Sequence, residues 1–195
     1  ERIPMERVEV KEVVNRALEA CGYAGREKGI KIRPEVDPEL STIEGAQNLL
    51  ERALINLVDN AVKYSAPEST VTVRARSQEK AYGGKSCVFS VADNGPGIPP
   101  VEQARIFERF YRVDKTRSRE LGGTGLGLAI VKHVALVHGG SVDLESERGV
   151  GSTFIIELPQ GLGSAEIDEV SSGAVPARAS SDQTEKELHR SDYGT

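Results

Sequence analysis

Glycines at 123, 125 and 127 in the stretch GGTGLGLAIVKHV stand immediately before an apolar pattern of helical period. The start of a helix carries unpaired backbone N–H groups and a partial positive charge, so it can hold a phosphate. Glycines let the backbone come close and take positive φ. Neither familiar glycine cradle fits. A dinucleotide fingerprint places its third glycine where Leu128 or Ile130 stands, and a phosphate-binding loop ending in Gly127 needs lysine where Leu128 stands. The GKS at Gly84–Ser86 has Glu79 where that loop requires glycine.

A second cluster lies in NLVDNAVKY. At about 100° per residue, Arg52, Asn56, Asn60 and Lys63 share one side of a helix. Leu50, Leu54, Leu57, Val58 and Ala61 lie opposite. Asparagine is a mediocre helix former, and two of them one turn apart are a costly way to make a solvated face. Amide oxygens are hard ligands suited to Mg²⁺, and a lysine is a point-charge partner for phosphate. The third cluster is DNGPGI. Asp93, when ionised, only accepts hydrogen bonds, and an exocyclic amine such as that of adenine would suit it. Gly95 and Gly97 permit a turn close to a flat base, against which Ile98 could pack.

These residues need elements to position them. Val10, Val13, Val14, Ala17, Leu18 and Cys21 recur at helical spacing within Val8–Gly29. IKIRPEV reads as a short strand, and AQNLLERALINLVDNAVKYS as the clearest helix. TVTVRARS and SCVFSVAD form a hairpin around AYGGK. A segment rich in glycine, proline and charge follows, with a short helical piece, VEQARIFERF. A helix over Gly125–His138 stops at Gly139–Gly140, and SVDLES and STFIIELP close as a second hairpin. The pattern predicts an α/β (α+β) two-layer sandwich, a mixed β-sheet with helices packed on one face. Residues 160–195, rich in Ser, Ala, Glu and Asp, read as a disordered tail.

Composition narrows the function classes. The 195 residues are 38% hydrophobic and 28% charged, a globular mix, and contain no tryptophan. The net charge of -5 argues against a general nucleic-acid binder. No apolar run approaches the roughly 18 residues needed to cross a bilayer, and the opening ERIPMERVEV has no signal-peptide core. Cys21 and Cys87 have no metal-ligand spacing and read as reduced, buried thiols. His133 and His138 are five apart, one more than the helical metal pair uses, and read as exposed helix residues.

Taken in order, the three clusters resemble the catalytic and ATP-binding domain of bacterial sensor histidine kinases, whose relatives share the Bergerat ATP-binding fold of gyrase, Hsp90 and MutL. NLVDNAVKYS resembles the N box, DNGPGI the G1 box, IFERFYR the F box, GGTGLGLAIVKHV the G2 box and GVGSTF the G3 glycines. The resemblance covers residues 8–159, and the subgroup resembles membrane-bound phosphate sensors of the PhoR type. It implies ATP and Mg²⁺ as cofactors. Asn60, assisted by Asn56, would hold the metal; Lys63 would contact phosphate and Tyr64 would line the adenine side. Asp93 would read the adenine amine in a pocket shaped by Gly95, Gly97 and Ile98, with Thr153 near the base. Gly123, Thr124, Gly125, Leu126, Gly127 and Leu128 would meet the phosphates. Residues 99–122 would be a mobile lid, anchored by Phe107 and Phe110, with Arg112 and Arg117 reaching phosphate.

The resemblance further implies transfer of the γ-phosphoryl group to a histidine on a separate dimerisation and acceptor domain, then to a response regulator. Residues 1–10 would be the junction from that domain, and the parent a membrane-anchored homodimer with this domain in the cytoplasm. The hydrolysing relatives carry a glutamate where this chain has Asn56, which is no base. The open alternatives are a nucleotide-binding module without catalysis, a self-contained ATPase, and a serine kinase acting on an anti-sigma partner.

Overall fold

The computed structural model describes residues 3–80, 83–113 and 123–160; the tail read over 160–195 lies outside them except for Gln160, which belongs to a strand. Strand β1 (Glu6–Glu9) leads directly into α1 (Val10–Glu27), followed by β2 (Lys31–Val36) and β3 (Thr42–Gly45). Then come α2 (Gln47–Tyr64), the strands β4 (Thr70–Glu79) and β5 (Lys85–Asp93), and the short α3 (Pro100–Gln103). The glycine-led helix, α4 (Gly127–Val137), precedes β6 (Ser141–Glu147) and β7 (Gly151–Gln160).

Five strands form one sheet in the order β2-β4-β5-β7-β6. β2 runs parallel to β4 and every other pair is antiparallel, so the sheet is mixed as the pattern predicts. The parallel pair needs a crossover, and α2 lies within it. Register aligns Val73, Val91 and Phe154 across three strands, and likewise Ala75, Phe89 and Ile156. With the side-chain period of two, these residues share one face, and all are buried. The opposite face carries exposed Arg74, which pairs with Glu35 across the parallel edge. Packing α1, α2 and α4 against the buried face closes the core.

Helix α1 buries Val10, Val13, Val14, Ala17 and Cys21, the stripe predicted from its spacing. Helix α2 sits centrally, between α1 and α4. Its Leu54 and Leu57 are almost fully buried, worth about 1.5–3 kcal/mol each. Burial pushes the Cys21 thiol up to about 11 and the Cys87 thiol up to about 12, so both stay protonated at neutral pH.

Several local expectations need correction. Val8 belongs to β1, which pairs antiparallel with β3 in a small second sheet that the periodicity does not show. Four-residue strands are too short for their alternation to stand out. The helical piece after Pro99 is confined to Pro100–Gln103 and gives way to turns. His138 is not exposed: it is 1% accessible, and the Ala46 N–H donates to its Nε2 at 2.9 Å while Nδ1 lies 2.7 Å from the Val134 carbonyl. The ring is therefore a buried bolt between the end of α4 and the start of α2. His133 is exposed as read.

The end of α2 is held from α1. The Lys28 ammonium donates to the carbonyls of Val62 (2.9 Å), Lys63 (2.6 Å) and Ser65 (3.4 Å). These are carbonyls at a helix C-terminus, where a cation also meets the negative end of the dipole. Lys28→Met keeps the apolar stem and removes the charge. Hydrogen bonds to charged groups predict a loss of about 1.5–3 kcal/mol, read as a lower denaturant midpoint at unchanged slope.

Candidate functional site

Three elements bring the chemical residues together: the polar side of α2, the amino end of α4, and the loop after β5. On α2, Asn56 and Asn60 are half-buried. The Asn56 side-chain amide donates to the Arg52 carbonyl at 2.8 Å, which settles the direction of its oxygen. That oxygen faces α4: a methyl group added at Gly127 would lie 3.1 Å from Asn56 Oδ1 and 3.8 Å from Asn60 Nδ2. The first residue of α4 thus lies over both asparagines. Lys63 is placed differently. It follows Asn60 on the same helix side, but its ammonium pairs with Asp59 at 2.6 Å. A phosphate would compete for a lysine already neutralised by its helix neighbour.

The glycine-led helix begins at Gly127, two residues later than the spacing predicts. Gly125 takes φ of +73° and lies ahead of the helix. Its carbonyl accepts the Phe110 N–H at 2.8 Å, and a side chain at 125 would press on the Phe110 backbone at 2.9 Å. Thr124 is exposed, and its hydroxyl lies 3.4 Å from the Leu126 N–H. Gly123 and Leu126 are half-buried beside it, and Leu128 packs against the core.

The two phenylalanines of the F-box-like segment behave unlike one another. Phe107 meets Phe154 edge-on, with ring centroids 6.4 Å apart, and so ties the segment to the sheet. Phe110 is 71% exposed and has positive φ, so its backbone, through Gly125, makes the attachment and its ring does not. Arg112 is half-buried just beyond, while Arg117 lies outside the described residues, as does the stretch 114–122 of the predicted lid.

At the end of β5, Asp93 Oδ1 accepts the Gly95 N–H at 2.8 Å. Burial holds its carboxyl above the usual range, and N–H groups of Gly95 and Ser152 partly oppose that by bonding the charged form. Gly97 has φ of +66°, and any side chain there would run into the Glu147 carbonyl, 2.0 Å from an added Cβ. The turn therefore folds flat onto the β6–β7 hairpin, with Ile98 packed on the core. Gly95 lies against the end of α2: an added Cβ would be 3.1 Å from the Tyr64 carbonyl. Tyr64 thus borders this loop through its backbone.

Thr153 does not join this group. It pairs with Ala92, whereas Asp93 pairs with Ser152. Successive strand residues point to opposite faces, so Ser152 stands on the Asp93 face and Thr153 on the other. Ser152 is buried, and its backbone N–H bonds the Asp93 carboxylate. The pattern GVGSTF offers two adjacent hydroxyls, and only the register of β7 selects between them. Ser146 and Gln103, which also bear on this loop, carry no motif signal at all.

Residues 45–162 match the family model described as histidine kinase-, DNA gyrase B-, and HSP90-like ATPase. The chain belongs to this ATPase family. Among curated relatives, this ATPase-family chain is 41% identical over 193 residues to the sensor-like histidine kinase SenX3 of Mycobacterium tuberculosis (strain ATCC 25618 / H37Rv), covering 97% of the chain and 46% of SenX3. It is 43% identical over 111 residues to the circadian input-output histidine kinase CikA of Synechococcus elongatus, covering 57% of the chain and 14% of CikA. The chain thus spans less than half the length of these relatives.

Among solved structures, the mycobacterial sensor histidine kinase MprB superimposes with a TM-score of 0.67 at 35% identity, covering 80% of this chain and 98% of that one. Full-length ShkA in complex with AMPPNP superimposes with a TM-score of 0.70 at 34% identity, covering 81% of this chain and 31% of that one. The ATPase-family chain is therefore homologous to the catalytic, ATP-binding domain of sensor histidine kinases.

Proposed function

We propose that this domain binds Mg²⁺–ATP and transfers the γ-phosphoryl group to a histidine on a separate helical acceptor domain, which passes it to an aspartate of a response regulator. The observation that carries the reading is the approach of Gly127 to Asn56 and Asn60. It sets the N–H groups opening α4 over two amide side chains, next to a carboxylate loop suited to a base. The similar ShkA structure is a complex with AMPPNP, which supports the nucleotide reading.

The residues fit a hexacoordinate hard cation shared with a ligand. Among the described residues no cluster of three His, Cys, Asp or Glu could hold a metal alone. Mg²⁺ is commonly bound through one or two protein oxygens together with substrate phosphates, keeping several waters. Asn60 and Asn56 would supply those oxygens, and the metal would neutralise charge on the phosphates. The open amino end of α4, from Gly125 to Gly127, would orient them, with Gly123, Thr124 and Leu128 shaping its approach. Lys63 would exchange Asp59 for phosphate, and Arg112 and Arg117 would add charge from the lid. Asp93 would accept the adenine amine, with Tyr64, Gly95, Gly97 and Ile98 bordering the base and Ser152, in place of Thr153, bracing the carboxylate.

Asn56 carries no basic group to activate water, so the chemistry depends on an incoming nucleophile. None of this chain's three histidines fits that role: His138 is buried with both ring nitrogens engaged, His133 is followed by Val134, and His189, outside the described residues, is followed by Arg190. Incubated with γ-labelled ATP and Mg²⁺, the chain alone should acquire no stable label. A supplied acceptor domain containing a histidine followed by Glu or Asp should become labelled. Acid-labile, base-stable label on this chain, or steady release of phosphate at a comparable rate, would count against the proposal. The parent would be a homodimer anchored in the cell membrane with this domain on the cytoplasmic side. Among the described residues no helix is long and apolar enough to cross a membrane.

A further inference from the structure

Both backbone polar groups of Ile98 are held by side chains, and neither side chain belongs to a nucleotide-binding motif. From β6, the Ser146 hydroxyl accepts the Ile98 N–H at 2.8 Å. From the last position of α3, the Gln103 amide donates to the Ile98 carbonyl at 2.8 Å and also to the Ser146 carbonyl at 3.0 Å. The Ser146 hydroxyl then donates to the Gly151 carbonyl at 3.0 Å, leaving a lone pair for Ser152 Oγ at 2.9 Å. Every donor in this hydrogen-bonded series meets an acceptor. It runs from the entry of the segment 99–122, through the base-side loop, to the strand residue paired with Asp93.

We propose that Gln103 and Ser146 are positioning residues that set the base-side loop against Asp93 and so determine affinity and selectivity for the nucleobase. This rests on the nucleotide reading above. A planar base needs a fixed distance between the group that reads its edge and the surface that meets its face. Asp93 is fixed by β5 and by the N–H groups of Gly95 and Ser152. Ile98 lies five residues on, in a loop of glycine and proline that belongs to no strand ladder; the Gly149 N–H fixes the Pro96 carbonyl at 2.8 Å, and Ser146 and Gln103 fix Ile98 from outside the loop.

The side-chain chemistry separates a positioning role from bulk stability. Gln103→Glu has the same shape but turns the donor toward two carbonyls into an acceptor, so it should disrupt the loop more than Gln103→Ala. The experiment measures dissociation constants of Mg–ADP, Mg–AMPPNP and Mg–GDP by calorimetry for the full chain, Q103A, Q103E and S146A, with thermal melts in the absence of nucleotide. Q103E should bind ADP and AMPPNP equally more weakly, by roughly ten-fold, or about 1.4 kcal/mol. The preference for ADP over GDP should narrow in Q103A and S146A while their melting temperatures stay near that of the wild type. Wild-type affinity and selectivity in Q103A and Q103E would overturn the inference. So would a loss that leaves the ADP-to-GDP ratio intact and follows a lowered melting temperature, and a loss confined to AMPPNP. Should Q103E fail to fold, the selectivity of Q103A and S146A decides. A wild-type chain that bound none of the three nucleotides would refute the nucleotide reading itself, an outcome distinct from these.

Discussion

Asn60→Ala is expected to weaken binding of the Mg²⁺–ATP analogue AMPPNP at least about 100-fold while leaving the fold intact, since loss of even an outer-shell metal partner costs 10- to 100-fold. Asn60 is half-buried on the polar side of α2, away from the Leu54 and Leu57 face that holds the core. Truncation should therefore leave the melting temperature of the nucleotide-free domain almost unchanged. The effect should depend on metal. Without Mg²⁺, wild type and variant should bind nucleotide with similar weakness, because the amide oxygen is assigned to the cation. Calorimetric titrations with and without Mg²⁺ check this, and an affinity independent of Asn60 under both conditions would remove this residue from the site. Asn56→Ala should have a smaller effect, since Asn56 is assigned only an assisting place beside Asn60.

Asp93→Asn should cost about 10- to 100-fold in ATP affinity, the range expected when a charged acceptor of a buried hydrogen bond is neutralised. It should also change the pH dependence. Burial raises the folded-state pKa of Asp93 above its ordinary value. An amine donor binds the ionised carboxylate, so wild-type affinity should fall as pH drops through that raised pKa. Stability of the free domain responds in the opposite direction. A carboxyl with a raised folded pKa contributes stability that is full below its unfolded value, near 3.9, and is lost as pH rises through the folded one. Asp93→Asn removes both dependences at once. Binding isotherms and melts from neutral to mildly acidic pH would show it, and parallel pH curves for wild type and variant would contradict the role given to Asp93.

The long helices were legible because each satisfies its own period. Val10, Val13, Val14, Ala17 and Cys21 on α1, and Leu50, Leu54, Leu57, Val58 and Ala61 on α2, mark buried stripes within one segment. The two hairpins were legible for the same local reason, as alternating strands joined by short turns rich in glycine and polar residues. The nucleotide-directed residues stood out because their types are poor choices for plain structure: two asparagines in a helix, and glycines where a side chain would collide. Such signals are local, and a linear reading captures them.

What remained hidden depended on partners far along the chain. The β1–β3 pair joins segments whose residues show no alternation, and it forms because Val8 and Ile43 are buried opposite each other. His138 looks like a helix-surface residue until the Ala46 N–H arrives from another element, 92 residues away in sequence. Ser152 and Thr153 are equivalent as letters. One step of strand register puts the first beside Asp93 and the second on the far face. Gln103 and Ser146 belong to ordinary polar positions and gain meaning only where α3, β6 and the base-side loop converge on Ile98. Periodicity and residue type are properties of a segment and survive in the linear sequence. Register, burial and hydrogen-bond partnership are relations between segments, and they exist only once the chain has closed around its core.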